Sequence, residues 1–182
     1  MNNIIIFPTD TVYGMGVSVY DEEGQKEIYR IKGRPTSKRL SVLCASLEDV
    51  EKIAIVSDDA KKLINKFMPG NLTIILKAKE EIVSEFIYDT IAVRIPNHPL
   101  ALRILRDKGP MATTSVNISG EAPMNNYYAI VEKFSNEVFY IYPNAETISG
   151  VSSTIVDLTV EPYKLIREGD LKYSELLHFL NK

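Results

Sequence analysis

Residues 8–16 read Pro8-Thr9-Asp10-Thr11-Val12-Tyr13-Gly14-Met15-Gly16. They follow a short apolar run, residues 3–7 (NIIIF), which reads as a buried strand that Pro8 ends. Two threonines flank Asp10, and Gly14 and Gly16 let the backbone approach a ligand closely. A strand end followed by small polar residues and glycine makes a binding loop on a rigid edge. The plainer reading is a surface turn between two strands, so the rest of the chain has to decide.

The chain has 182 residues, 45% hydrophobic and 25% charged, with a net charge of -3. This is one soluble domain, expected over residues 1–182, large enough for a core. The net charge excludes a general polyanion binder, so contact with nucleic acid needs a local basic patch. Cys44 is the single cysteine, which excludes an intrachain disulfide and fits a reducing compartment. One Cys and two distant His residues cannot form a zinc cluster. The first seven residues lack the features of a signal peptide, and no apolar run approaches the roughly 18 residues of a membrane span. The expectation is a cytoplasmic protein without membrane contact.

Further along, residues 22–32 (EEGQKEIYRIK) predict a helix with Ile28 and Ile31 on one face, although Gly24 weakens it. Strands are expected over 17–20, 40–44, 72–78, 90–95, 111–115, 138–142, 154–158 and 163–167. Ser46, with Asp49 three residues on, resembles a capping box for a short helix. Ser57 caps a second helix over 58–68, and further helices are expected over 100–106, 127–134 and 170–180. Residues 116–126 and 147–153 read as polar loops. Strands interleaved with short helices, without strict βαβ alternation, indicate α/β or mixed α+β around a mixed sheet.

Several short elements carry candidate chemistry. Lys32, Arg34, Lys38 and Arg39 fall within eight residues around Pro35. In an extended loop, Lys32 and Arg34 point to the same side. Paired cations suit a triphosphate, Lys as a point charge and Arg as a planar fork; a solvated basic loop is the alternative. Arg94, near the end of the apolar strand TIAVR, needs a partner if buried. Ser115 and Asn117 offer a hydroxyl and an amide to phosphate oxygens. His98 and His178 read as structural or surface residues. There is no P-loop and no dinucleotide fingerprint.

Taken together, these elements resemble the YrdC/TsaC family of threonylcarbamoyl-AMP synthases. PTDTVYGMG resembles its first signature, Lys32-Gly-Arg34-Pro35 its K-x-R-P element, and Lys38 and Leu40 the loop that follows. Residues 69–73 (PGNLT) resemble its P-G-P-x-T turn, and 89–96 (DTIAVRIP) its A-V-R-x-P strand. Residues 112–120 (ATTSVNISG) resemble S-A-N-x-S-G, 152–157 (SSTIVD) its S-T-[IV]-[IV]-D, and Ile166-Arg167-Glu168-Gly169 its R-x-G. Leu43 stands where the family often has His, Asn71 replaces a proline and Val116 an alanine; the PGN turn and the ending at Cys44 lean toward the YciO-like branch. The family's usual helix of about twenty residues before the first strand and the long C-terminal extension of some members are absent from this sequence. It resembles the short single-domain form.

The resemblance implies a twisted mixed sheet around a concave, positively charged cleft. It implies conversion of L-threonine, bicarbonate and ATP, with Mg2+ accompanying the nucleotide, to threonylcarbamoyl-AMP and pyrophosphate. The product would serve threonylcarbamoyladenosine formation in tRNA, which makes tRNA and a downstream threonylcarbamoyl-transferase complex the implied partners. It places ATP at Lys32, Arg34, Lys38, Thr90, Thr113, Ser115, Asn117 and Arg167, and threonine at Thr11, Arg94 and Ser153. No metal ligand or catalytic acid or base is assigned. Two rivals stand beside it: a nucleotide- or RNA-binding module without efficient turnover, and a carbamoyl-transferring domain of related fold.

Overall fold

The computed structural model describes residues 3–144, 146 and 148–181. The single domain expected over 1–182 and the first residue of the loop expected over 147–153 therefore fall partly outside the described residues. Among the described residues, ten strands form one mixed sheet. They are β1 (Ile5–Pro8), β2 (Tyr13–Ser18), β3 (Ser41–Leu43), β4 (Ala54–Ile55), β5 (Leu72–Ala78), β6 (Thr90–Arg94), β7 (Met111–Ser115), β8 (Tyr140–Ile141), β9 (Thr154–Asp157) and β10 (Lys164–Arg167). Their order is β10-β9-β5-β6-β3-β7-β2-β1-β8, with β4 beside β5. The pairs β1–β8, β3–β6 and β5–β9 are parallel and the others antiparallel.

The helices are α1 (Glu22–Lys32), α2 (Leu47–Ile53), α3 (Asp58–Phe67), α4 (Pro99–Lys108), α5 (Tyr127–Phe134) and α6 (Tyr173–Leu180). Their ends follow local chemistry. The Asp21 side chain accepts from the Gly24 amide and Gly33, at φ 56°, closes α1 in the left-handed conformation. Ser46 and Ser57 cap α2 and α3 as expected. His98 caps α4, accepting from the Ala101 amide, with Pro99 in the first turn.

Side chains alternate across the sheet, and this alternation separates core from site. One face presents Ile74, Val93, Val42, Ala112, Met15 and Ile6, packed against α1, α2, α3, α5 and α6. On the other face, α4 covers one end, burying Ile5, Phe7, Leu43 and Met111 with Ile104 and Leu105. The rest of that face stays open. Cross-strand partners Thr113, Ser41, Ala92 and Ile75 form one row on it, and Met111, Leu43, Arg94, Thr73, Ile155 and Arg167 the next.

The opening stretch differs from its sequence reading. Pro8 is part of β1, and the binding loop shrinks to residues 9–12, closed by a Thr9 N to Val12 O hydrogen bond of 3.2 Å. Tyr13 to Gly16 are already strand. The two glycines answer the neighbouring strand: a Cβ on Gly14 would lie 2.8 Å from Thr113 Cγ2, and one on Gly16 2.7 Å from Thr113 Oγ1. Lys32 is the last residue of α1, as the expected helix bounds have it, so the extended-loop premise that it shares a side with Arg34 fails. Helix α4 runs longer than expected and α6 starts later; β4 and a 3-10 turn at Glu80–Ile82 were not anticipated.

Candidate functional site

The open face carries a cleft of about 290 Å³. Its floor takes Thr113 and Ser41 from the first row and Leu43, Arg94, Thr73 and Ile155 from the next. Its walls come from the 9–12 loop and the start of β2, the 34–39 loop, and Ser152, Ser153 and Arg167. Four guanidinium groups line it, those of Arg34, Arg39, Arg94 and Arg167, and no carboxylate does so among the described residues. Burial lowers the pKa of Arg34 and Arg167 from the ordinary guanidinium value. Both remain cations; Arg34 is half-buried and Arg167 exposed at the cleft edge, and an anion in the cleft would offset their partial desolvation.

Arg94 is the best satisfied of the four. Nε donates to Gly70 O at 2.9 Å, Nη1 to Thr11 Oγ1 at 2.7 Å, and Nη2 to Asp10 Oδ1 at 2.6 Å and Asn71 Oδ1 at 3.4 Å. Burial lowers its pKa and the Asp10 charge opposes that shift. Of the five N–H groups a guanidinium carries, one, on Nη1, is left for a ligand. Arg167 spends Nε and Nη2 on Ser153 O. Arg34 spends Nε and Nη2 on Lys38 O and Arg39 O, which folds the basic loop back on itself. Arg39 donates to Thr90 Oγ1 at 2.6 Å and stacks 4.3 Å over the Tyr88 ring.

Among the residues read from sequence, Arg34, Thr113, Ser115, Arg167, Thr11, Arg94 and Ser153 come together in the cleft. The others stand outside its lining. Lys32 is fully buried, Asn117 is buried beside it, Lys38 is exposed, and Thr90 lies on an apolar extension between Arg39 and Ile166. His98 has a structural place: its Nε2 lies 3.2 Å from Asn144 Oδ1. His178 is exposed on α6.

Sequence reasoning missed Asp10 as the partner of Arg94, Arg39 as a cleft residue, and the hydroxyl pair Thr73 Oγ1–Ser153 Oγ at 2.7 Å. For Asp10 the signal was available, because a buried strand arginine demands a carboxylate. For Thr73 it lay in β5, where LTIIL puts Thr73 on the same face as Ile75. For Arg39 no sequence signal distinguished it from its three basic neighbours.

Among the described residues, no group of three His, Cys, Asp or Glu side chains is placed to hold a metal ion. No helix is long and apolar enough to cross a membrane.

Comparison with known proteins bears on this geometry. The Sua5/YciO/YrdC family model, described as telomere recombination, matches residues 1–169. The threonylcarbamoyl-AMP synthase of Pyrococcus abyssi is 38% identical over 178 residues, covering 95% of this chain and 52% of its own. The crystal structure of P. abyssi Sua5 complexed with L-threonine superposes with a TM-score of 0.91 at 37% identity, over 98% of this chain and 54% of that one. Escherichia coli YciO gives a TM-score of 0.84 at 27% identity, over 94% and 85% of the two chains. The chain spans about half the length of these Pyrococcus abyssi chains. The mixed sheet, its open face and the order of its motifs thus have one explanation, and the chain belongs to the Sua5/YciO/YrdC family.

Proposed function

We propose that the chain is a threonylcarbamoyl-AMP synthase, forming threonylcarbamoyl-AMP and pyrophosphate from L-threonine, bicarbonate and ATP. One observation carries the reading. Arg34, Arg39 and Arg167 have no carboxylate partner among the described residues, yet all three line one cleft floored by hydroxyl groups. Arg34 and Arg167 each keep Nη1 outside any hydrogen bond among the described residues. Such groups suit polyphosphate oxygens. The name of the P. abyssi relative and the threonine bound to P. abyssi Sua5 support the choice of reaction and amino acid.

In this reading the triphosphate lies along Arg34 and Arg167, with Ser115 and Thr113 beneath it. Threonine lies next to it on the Arg167 side, its carboxylate on the remaining Arg94 N–H near Thr11, with Ser153, which Arg167 holds through its carbonyl, close by. Threonine nitrogen and bicarbonate condense to a carbamate with loss of water. A carbamate oxygen then attacks the α-phosphorus, the bond to the bridging oxygen breaks, and pyrophosphate leaves. The demand on the protein is positioning and charge neutralisation more than proton transfer. A cleft of guanidinium and hydroxyl groups meets it without a dedicated base. Magnesium would come with ATP and be held by phosphate oxygens, because no carboxylate lines the cleft among the described residues. The product is a mixed anhydride, activated for transfer to an amine. That chemistry fits delivery to tRNA by a downstream transferase.

Calorimetric titration with ATP, with and without threonine, tests the assignment of ligands. ATP binding that tightens or changes in heat with threonine is expected. ATP binding indifferent to threonine would favour a nucleotide-binding module instead.

A further inference from the structure

Lys32 and Arg34 are two residues apart, yet they serve opposite sides of the cleft wall. Helix α1 ends at Lys32, and Gly33, at φ 56°, reverses the chain. Arg34 is sent into the cleft while the Lys32 side chain stays in the interior. There its ammonium meets Ser115 O at 2.5 Å, Asn117 O at 2.8 Å and Asn117 Oδ1 at 2.7 Å. An ammonium has three N–H donors, and these three oxygens use them all. None remains for a ligand. The Lys32 carbonyl adds a fourth tie, accepting from the Ser119 amide at 2.8 Å.

The tie continues into the cleft. Asn117 Oδ1 accepts from Lys32 and also from Ser115 Oγ, at 2.8 Å, and Asn117 Nδ2 donates to Glu121 O at 2.7 Å. Ser115 lines the cleft. As long as Lys32 satisfies Asn117 Oδ1, the Ser115 hydroxyl can turn its hydrogen to an anionic oxygen without leaving a buried acceptor bare. Without Lys32, the Ser115 hydrogen would be the one side-chain donor left to that oxygen among the described residues, and two buried carbonyls would lose their ammonium.

We propose that Lys32 is a positioning residue for the nucleotide: from behind the cleft it holds the Ser115–Asn117 turn and frees the Ser115 hydroxyl to donate to a phosphate oxygen. This rests on the reading of the cleft as an ATP site. Burial and the charge of Arg34 pull the Lys32 pKa down to about 7. Only the charged form satisfies all three oxygens at once.

The test is a double-mutant cycle in ATP binding, measured by calorimetry on the parent, Lys32→Met, Ser115→Ala and the pair. Each single substitution should weaken ATP about tenfold or more. If Lys32 acts through Ser115, the pair should be no more than about twofold weaker than the worse single variant, because groups acting as one unit are not additive. Losses that multiply across the cycle overturn the inference while leaving the ATP site intact. A parent that binds no ATP overturns both. Should Lys32→Met fail to fold, NMR of the parent labelled on both lysine and arginine decides. Saturating ATP should leave the Lys32 ammonium signal nearly in place while the Arg34 Nε signal moves. A Lys32 signal that shifts as strongly as that of Arg34 means direct phosphate contact and overturns the proposal.

Discussion

Arg94 and Asp10 form a buried ion pair, Nη2 to Oδ1 at 2.6 Å, with side chains only 7% and 16% exposed. The pair joins the end of β6 to the turn that follows β1. The same guanidinium reaches Thr11 and Gly70, so one side chain locks three segments at the end of the cleft proposed for the amino acid. Removing one partner of a buried pair strands the other charge, at about 3–5 kcal/mol. Asp10→Ala should therefore lower the unfolding free energy by about 3 kcal/mol or more and weaken threonine binding, with urea unfolding and calorimetry as the measurements. A loss under about 1 kcal/mol, the range of an exposed pair, would contradict this account of the turn.

Gly14 is predicted to be a packing residue. Its alanine variant places a methyl group 2.8 Å from Thr113 Cγ2, so Gly14→Ala should destabilise the fold by about 1–3 kcal/mol. Thr113→Ser removes that Cγ2 and keeps the hydroxyl, and should recover most of the loss. Urea midpoints for both variants and the pair decide the matter. No recovery in the pair would mean that the glycine is required for another reason.

These two sites show what the sequence could and could not reveal. Helices α1 and α5 and strand β5 match their expected bounds, because caps, periodicity and flanking breakers agree locally. The glycines of GMG were read as loop because glycine is a loop signal. In the fold they are strand residues, and the deciding contact is with Thr113, 97 or more positions away and invisible to local reading. Gly24 is the same case: a Cβ there would meet Val17 Cγ2 at 2.6 Å, so glycine is what lets α1 approach β2. Alternation in TIAVR places Thr90, Ala92 and Arg94 on one face of β6, a signal present in the sequence, and the cleft opens on that face. Lys32 was misplaced although its register was legible. It lies four residues after Ile28, on the buried stripe of α1, but its charge, two residues from that of Arg34, drew the reading to a triphosphate in an extended loop.

Arg34 should matter for ATP more than for folding. Its two hydrogen bonds hold the exposed 34–39 loop, so Arg34→Ala should cost about 1 kcal/mol of stability. Loss of a charge-assisted contact to phosphate should weaken ATP about tenfold or more. Thermal melting and calorimetry separate the two effects. A variant that binds ATP as the parent does would return this loop to solvated surface.

Lys32 gives a pH signature. Burial, with Arg34 nearby, lowers its folded pKa to about 7 from 10.5. Between those values the unfolded chain holds the proton more firmly than the folded one, so stability rises with pH. The penalty is complete below about 7 and is relieved as pH climbs toward 10.5. The unfolding free energy of the parent relative to Lys32→Met should therefore increase from neutral to alkaline pH. A pH-independent difference would show that the buried ammonium keeps its ordinary pKa.

The proposed synthase reaction requires this cleft to couple threonine to ATP cleavage at the α-phosphorus. The direct measurement is pyrophosphate release by the purified chain with magnesium, bicarbonate, ATP and threonine, each omitted in turn. Release should fall to background when either threonine or bicarbonate is left out. Release that continues unchanged without threonine, or ATP binding with no pyrophosphate under any of these conditions, would contradict it.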